Sequence, residues 1–197
     1  MLGLKGAWGN DFSEVKARLA RQKARIEATK MVVLSWGPGE SHPNYPKREQ
    51  IGEAVGALPG VEVVTPEAIA RYSAPVIGVP TMTVEEIELD DADLAVCLAV
   101  DNPTATGIQF EVSSVREKTW MRDRIRLLAP KDPRHHKGLL GEAVRLFPPD
   151  QTLRYDTDQY TRCDDMRAAA VAWVQAAQVR KYWRSRQVEE LNRENNA

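Results

Sequence analysis

The strongest constraint on this chain is a set of short runs that are apolar at consecutive rather than alternate positions, above all MVVLSW from Met31 and DLAVCLAV from Asp93. A strand with one wet face alternates apolar and polar side chains, whereas a strand covered on both faces reads as an unbroken apolar run. VEVV from Val61, RIRLLAP from Arg124 and VRLF from Val144 repeat the signal, the last as a candidate final strand. Between them lie a helical stretch from Lys47 to Leu58, a helix or turn near Val84 to Leu89, and a helix around Gly107 to Met121. Alternation of this kind predicts an α/β fold, doubly wound in the Rossmann-like or flavodoxin-like manner, with a mostly parallel sheet of about five strands.

Two helices flank that core. From Asp11 to Lys30, Phe12, Val15, Leu19 and Ile26 fall near one face of a helix that Asp11 or Ser13 can cap. From Cys163 to Leu191, Met166, Ala170, Trp173, Val174 and Ala177 form a stripe along one long helix. The chain divides accordingly into an N-terminal helical flank (1–30), an α/β domain (31–150) and a C-terminal helical tail (151–197). The flanking helices, with Trp173, Tyr182 and Trp183, suit contacts between copies, so a homo-oligomer is expected.

Charge narrows the functional classes. Across 197 residues, 27 Lys and Arg stand against 28 Asp and Glu, a net charge of −1 that offers no general attraction for nucleic acid or an anionic membrane. No apolar stretch approaches the ~20 residues that span a bilayer, and MLGLKGAWGNDF lacks the apolar segment of a secretory signal, so a cytoplasmic protein is expected. Cys97 and Cys163 are the only cysteines and form no CxxC pair, which argues for reduced thiols rather than a disulfide or zinc framework.

In doubly wound sheets, ligands bind beyond the carboxyl ends of the strands. Two loops predicted at that edge are unusual. After Trp36, Gly37 and Gly39 let the backbone approach a ligand, and the following helix start offers free amides to an anion. Tyr45 can stack on a sugar or base, and Lys47 and Arg48 lie where Arg48 can grip a phosphate at two points. The second loop follows DLAVCLAV. Asp101 and Asn102 end the run, the chain turns through Pro103 to Gly107, and Glu111 lies in the next helix, where it can act on a sugar or complement the helix dipole.

The order of Asp93 opening a strand, a polar turn, and Gly107-x-x-x-Glu111 resembles the nucleoside 2-deoxyribosyltransferase family and its nucleotide N-glycosidase relatives, over roughly Met31 to Pro130. The resemblance implies that Glu111 is the catalytic carboxylate that attacks the anomeric carbon. It also implies that Trp36, Gly37, Gly39, Tyr45, Arg48, Asp93, Asp101, Thr106 and Gly107 bind the substrate. That substrate would be a nucleoside, a nucleotide or an NAD-like small molecule, cleaved at its N-glycosidic bond without cofactor or metal. Where the family carries Asp or Ser two residues before the glycine, this chain has Ala105, flanked by the hydroxyls of Thr104 and Thr106. If neither hydroxyl substitutes, the site binds a nucleotide without cleaving it, as a sensor or a TIR-like assembly module of the kind found in bacterial defence.

Other candidates read as structural. His135 and His136 sit in a charged, Pro-containing segment with no carboxylate at metal-site spacing. The basic run REKTWMRDRIR, Arg116 to Arg126, is interrupted by Glu117 and Asp123 and reads as a solvated helix face leading into a strand rather than a nucleic-acid contact. Asp90, Asp91 and Asp93 suit a helix-to-strand turn, and YDTDQYTRCDD from Tyr155 suits a turn capping the final helix.

Overall fold

The computed structural model describes residues 8–68, 92–100, 122–132, 139–156 and 163–195. The chain runs through α1 (Trp8–Glu27), β1 (Met31–Trp36), α2 (Tyr45–Gly56) and β2 (Val61–Val64). β3 (Leu94–Leu98), β4 (Ile125–Pro130), α3 (Leu139–Leu146), β5 (Thr152–Tyr155) and α4 (Asp164–Asn195) follow. The strands form one five-stranded sheet in the order β2-β1-β3-β4-β5, parallel throughout, as a doubly wound α/β fold requires.

Unbroken apolar runs became central strands for the expected reason. Leu34, Trp36, Ala95, Cys97, Ile125 and Leu127 project into one layer of core with Val144 and Phe147 of the α3 region. Met31, Val33, Leu94, Val96 and Leu98 project into the other, against Ile51 and Val55 of α2 and Met166, Ala170 and Val174 of α4. Neighbouring side chains leave a strand on opposite sides, so only a strand buried on both faces needs apolar residues at every position.

VRLF is not a strand. It closes α3, because the longer run LLGEAVRLF has helical spacing: Val144 and Phe147, three residues apart, are both buried while Arg145 is exposed. Pro148 and Pro149 then stop the helix. The last described strand is TLRY, whose Thr152 and Arg154 gave no apolar signal; among the described strands it pairs only with β4, at the edge of the sheet. The sheet therefore runs to Tyr155, past the boundary at 150 expected from the sequence.

One polar side chain and one close backbone approach join the flanks to the sheet. Gln178, 3% exposed, donates through Nε2 to Thr29 O at 2.8 Å and Pro59 O at 2.9 Å, tying α4 to the turns that lead into β1 and β2. Gly60 follows with φ 76°, a left-handed conformation in which an added Cβ would lie 2.6 Å from Glu27 O. Along α1, Phe12, Val15 and Leu19 are exposed, and no helix among the described residues is long and apolar enough to cross a membrane.

Candidate functional site

The sheet order fixes where a crevice opens. From β1 the chain crosses to β2 on one side, and β3 lies on the other, so the connections leaving β1 and β3 diverge from adjacent carboxyl ends. Trp36, the last residue of β1, is in register with Cys97 near the end of β3. The loop after Trp36 and the chain after Leu98 therefore emerge side by side, at the position where doubly wound sheets bind ligands.

Within that frame the loop residues take unequal roles. Trp36 is 1% exposed and belongs to the core, and its Nε1–H finds no acceptor among the described residues. Gly37 is selected by its neighbours: an added Cβ would stand 3.0 Å from Arg48 Cδ and 3.4 Å from Leu98 Cβ. Gly39 has open space where its Cβ would be, and its carbonyl accepts from His42 N at 2.9 Å, closing a turn ahead of α2. Tyr45 is half-buried at the start of α2, with Arg48 Cζ 5.9 Å from its ring centroid. Burial and the carboxylates of Glu49 and Glu40 push the Tyr45 phenol above its ordinary range.

Arg48 corrects the sequence reading. Its guanidinium is 97% buried by its 3% exposure and is spent inside the protein: Nε donates to Ser35 O at 3.2 Å and one terminal nitrogen to Pro38 O at 3.2 Å. Both terminal nitrogens reach the two carboxylate oxygens of Glu67 at 2.7 Å. A guanidinium held this way braces the loop after β1 and has no free fork for a phosphate. Arg48 holds the Glu67 carboxyl below the usual carboxylate range through those hydrogen bonds, against the opposing effect of burial. Glu67 is positioned by the helical turn after β2, where Thr65 Oγ1 accepts from Ala68 N at 3.3 Å and Pro66 opens the turn. No motif in the sequence announced this pair.

Asp93 is the second correction. Every strand runs in the same direction, so a residue that opens β3 lies at the amino edge of the sheet, about 16 Å from the carboxyl edge across a five-residue strand. It cannot share a ligand with Gly37 and Gly39. Its Oδ2 instead accepts from Val32 N at 2.9 Å and Lys181 Nζ at 2.7 Å, linking β3, β1 and α4.

Asp101, Ala105, Thr106, Gly107 and Glu111 lie outside the described residues, as do the helix expected at Gly107–Met121 and His135 and His136. Tyr155, read from the sequence as the start of a turn before the final helix, instead ends β5 at the same edge as the crevice and donates its hydroxyl to Ala99 O just after β3. It anchors the stem of the segment leading to Asp101. A cavity of about 230 Å³ beside the crevice is lined by Tyr45, Arg48, Glu49, Glu53 and Thr65 among others; its size and carboxylates suit water rather than a nucleotide. No protein-family model matches this chain, and no curated protein matches it.

Proposed function

We propose that this protein binds a nucleotide-like molecule at the carboxyl edge between β1 and β3 and cleaves its N-glycosidic bond with Glu111. The observation that carries this reading is the strand order, which reverses between β1 and β3 and sends the Trp36 loop and the chain toward Glu111 out of one edge. The spacing Gly107-x-x-x-Glu111, with its likeness to the nucleoside 2-deoxyribosyltransferases, supplies the chemistry. The buried, unaccepted Nε1–H of Trp36 is a donor available to a ligand oxygen or to the chain covering it.

In this reading the Glu111 carboxylate attacks C1′ and the C1′–N bond breaks with its electrons passing to the base. A neutral base departs with a proton taken from solvent, which the water that later opens the ester returns; a nicotinamide, cationic while attached, departs neutral without one, and that water's proton is released to solvent. Water then opens the glycosyl ester, restoring the carboxylate, or an acceptor base takes the sugar. Specificity for phosphorylated substrates would fall to groups other than Arg48, which Glu67 already occupies. Exposed Phe12, Val15 and Leu19 on α1 are consistent with assembly into an oligomer.

A second reading, a nucleotide-binding module without catalysis, is favoured by Ala105 and by the commitment of Arg48 to Glu67. One experiment separates the two. Nucleosides, deoxynucleotides and NAD are incubated with the protein and with Glu111→Gln, and free base is followed by chromatography. Release that disappears in the variant supports the glycosidase. Thermal stabilisation by one compound with no release from any supports the module.

A further inference from the structure

A cluster of positive charge lies at the opposite edge of the sheet from the proposed crevice. A cavity of about 580 Å³ opens there between the amino ends of β1, β3 and β4 and the face of α4, and Arg124, Arg126, Arg180, Lys181 and Arg184 line it. Only two carboxylates, Asp93 and Asp123, face them among the described lining residues. The chain as a whole carries −1, so this concentration is local to the cavity.

Asp93 is spent on Lys181, and Arg124 donates to Ala92 O at 3.1 Å. Among the described residues Arg126, Arg180 and Arg184 form no ion pair. Arg126 is 7% exposed and has no ion pair among the described residues; one terminal nitrogen donates to Asp123 O at 2.9 Å and Ile125 O at 2.8 Å. Those backbone carbonyls satisfy hydrogen bonds but do not cancel the charge, and burying an uncompensated guanidinium costs several kcal/mol. Arg180 adds a second cation nearby, and burial together with Arg180 makes the Arg126 guanidinium harder to protonate than usual, against the through-space pull of Asp150 and Asp123. Arg180 and Arg184 stand four residues apart on α4, a spacing that costs stability for like charges. Neither side chain makes an ion pair or hydrogen bond among the described residues.

We propose that this cavity is a binding site for a phosphorylated small anion carrying two or more negative charges, held by Arg126 at its base and by Arg180 and Arg184 at its mouth. A polyphosphate supplies the missing counter-charge and accepts from the guanidinium forks. The volume falls within the range of small-molecule sites, and an indented cavity between strand ends and one helix suits a compact anion better than a nucleic-acid backbone, which needs an extended basic stripe. The site does not depend on the glycosidase reading, because it uses no residue of the crevice.

Pyrophosphate and tripolyphosphate are the probes, with calorimetric titration and thermal melts of the intact chain and of Arg180→Gln/Arg184→Gln. Both substitutions lie on an exposed helix face, so the variant folds. The expected results are saturable binding, stabilisation of about 5 °C or more at a hundredfold excess over Kd, and at least about tenfold weaker binding in the variant. Without anion the variant melts at or above the parent temperature, since it removes repulsion; a purely structural role for these arginines predicts a loss. Unchanged binding in Glu111→Gln keeps this result separate from the crevice. Absence of binding by either probe, equal binding by the variant, or displacement of the probe by a single-stranded oligonucleotide at lower concentration would overturn the proposal, the last in favour of nucleic acid.

Discussion

Arg48 and Glu67 meet in a two-pronged ion pair, both nitrogen–oxygen distances 2.7 Å, that fastens α2 to the helical turn after β2, while Arg48 also holds the loop after β1 through Pro38 O. The arginine is buried and the glutamate keeps 34% of its side chain in water, so the pair sits at the rim of the crevice with its positive half inside. Glu67→Gln strands that charge. Unfolding in urea is expected to reveal a loss on the order of 2–3 kcal/mol, at the low end for a buried pair because Glu67 is partly wet and Arg48 retains two carbonyl partners.

The same pair gives a pH dependence with a definite sign. The folded-state pKa of Glu67 lies below its ordinary value, so its contribution is complete above the unfolded-state pKa of about 4.5 and disappears as pH falls through the depressed folded value. Stability measured from pH 7 down through the acid range should fall less steeply in Glu67→Gln than in the parent. Parallel curves would mean that the pair contributes nothing to acid sensitivity.

Gly60 tests the packing of the β2 approach. A methyl group there would meet Glu27 O at 2.6 Å and Thr29 O at 2.9 Å, both backbone atoms that cannot swing aside, and φ is 76°. Gly60→Ala should cost at least about 2 kcal/mol, more than the left-handed conformation alone. Thermal melts of Gly60→Ala beside Gly39→Ala give the comparison, since Gly39 meets nothing within 4 Å and should lose far less.

Asp93 distinguishes the family likeness from the geometry. Its carboxylate receives Val32 N and Lys181 Nζ at the amino edge of the sheet, so Asp93→Ala should lower stability by about 1–2 kcal/mol. Base release or nucleotide affinity per folded molecule should stay unchanged. A variant of undiminished stability that loses substrate affinity would return Asp93 to the ligand site.

The thiols provide a check on the core. Cys97 is 0% exposed and Cys163 5%, and burial raises the pKa of the Cys163 thiol, leaving less of the reactive thiolate. A coloured thiol reagent should therefore modify two cysteines per chain in denaturant and react slowly with the native protein. Rapid native labelling of Cys163 would show that the start of α4 opens readily.

The long apolar runs, MVVLSW and DLAVCLAV, declared their burial because no other placement satisfies consecutive Val, Leu and Ala in water. TLRY was illegible for the complementary reason: an edge strand borrows its stability from one neighbour and does not need apolar side chains throughout. VRLF misled because four residues are too few to separate a period of 2 from one of 3.6.

The sequence by itself determined the α/β class, the doubly wound parallel sheet, the two flanking helices and the glycine-rich loop leaving β1, because all of these are written in local periodicity and turn chemistry. Only the tertiary structure decided what the charged residues do. Arg48 reads as a phosphate ligand until Glu67, 19 positions away, is brought against it, and Asp93 reads as a site residue until the shared direction of the strands sends it to the far edge. A side chain's charge is local, but its partner is chosen by the fold, and the partner determines whether that charge is spent or available.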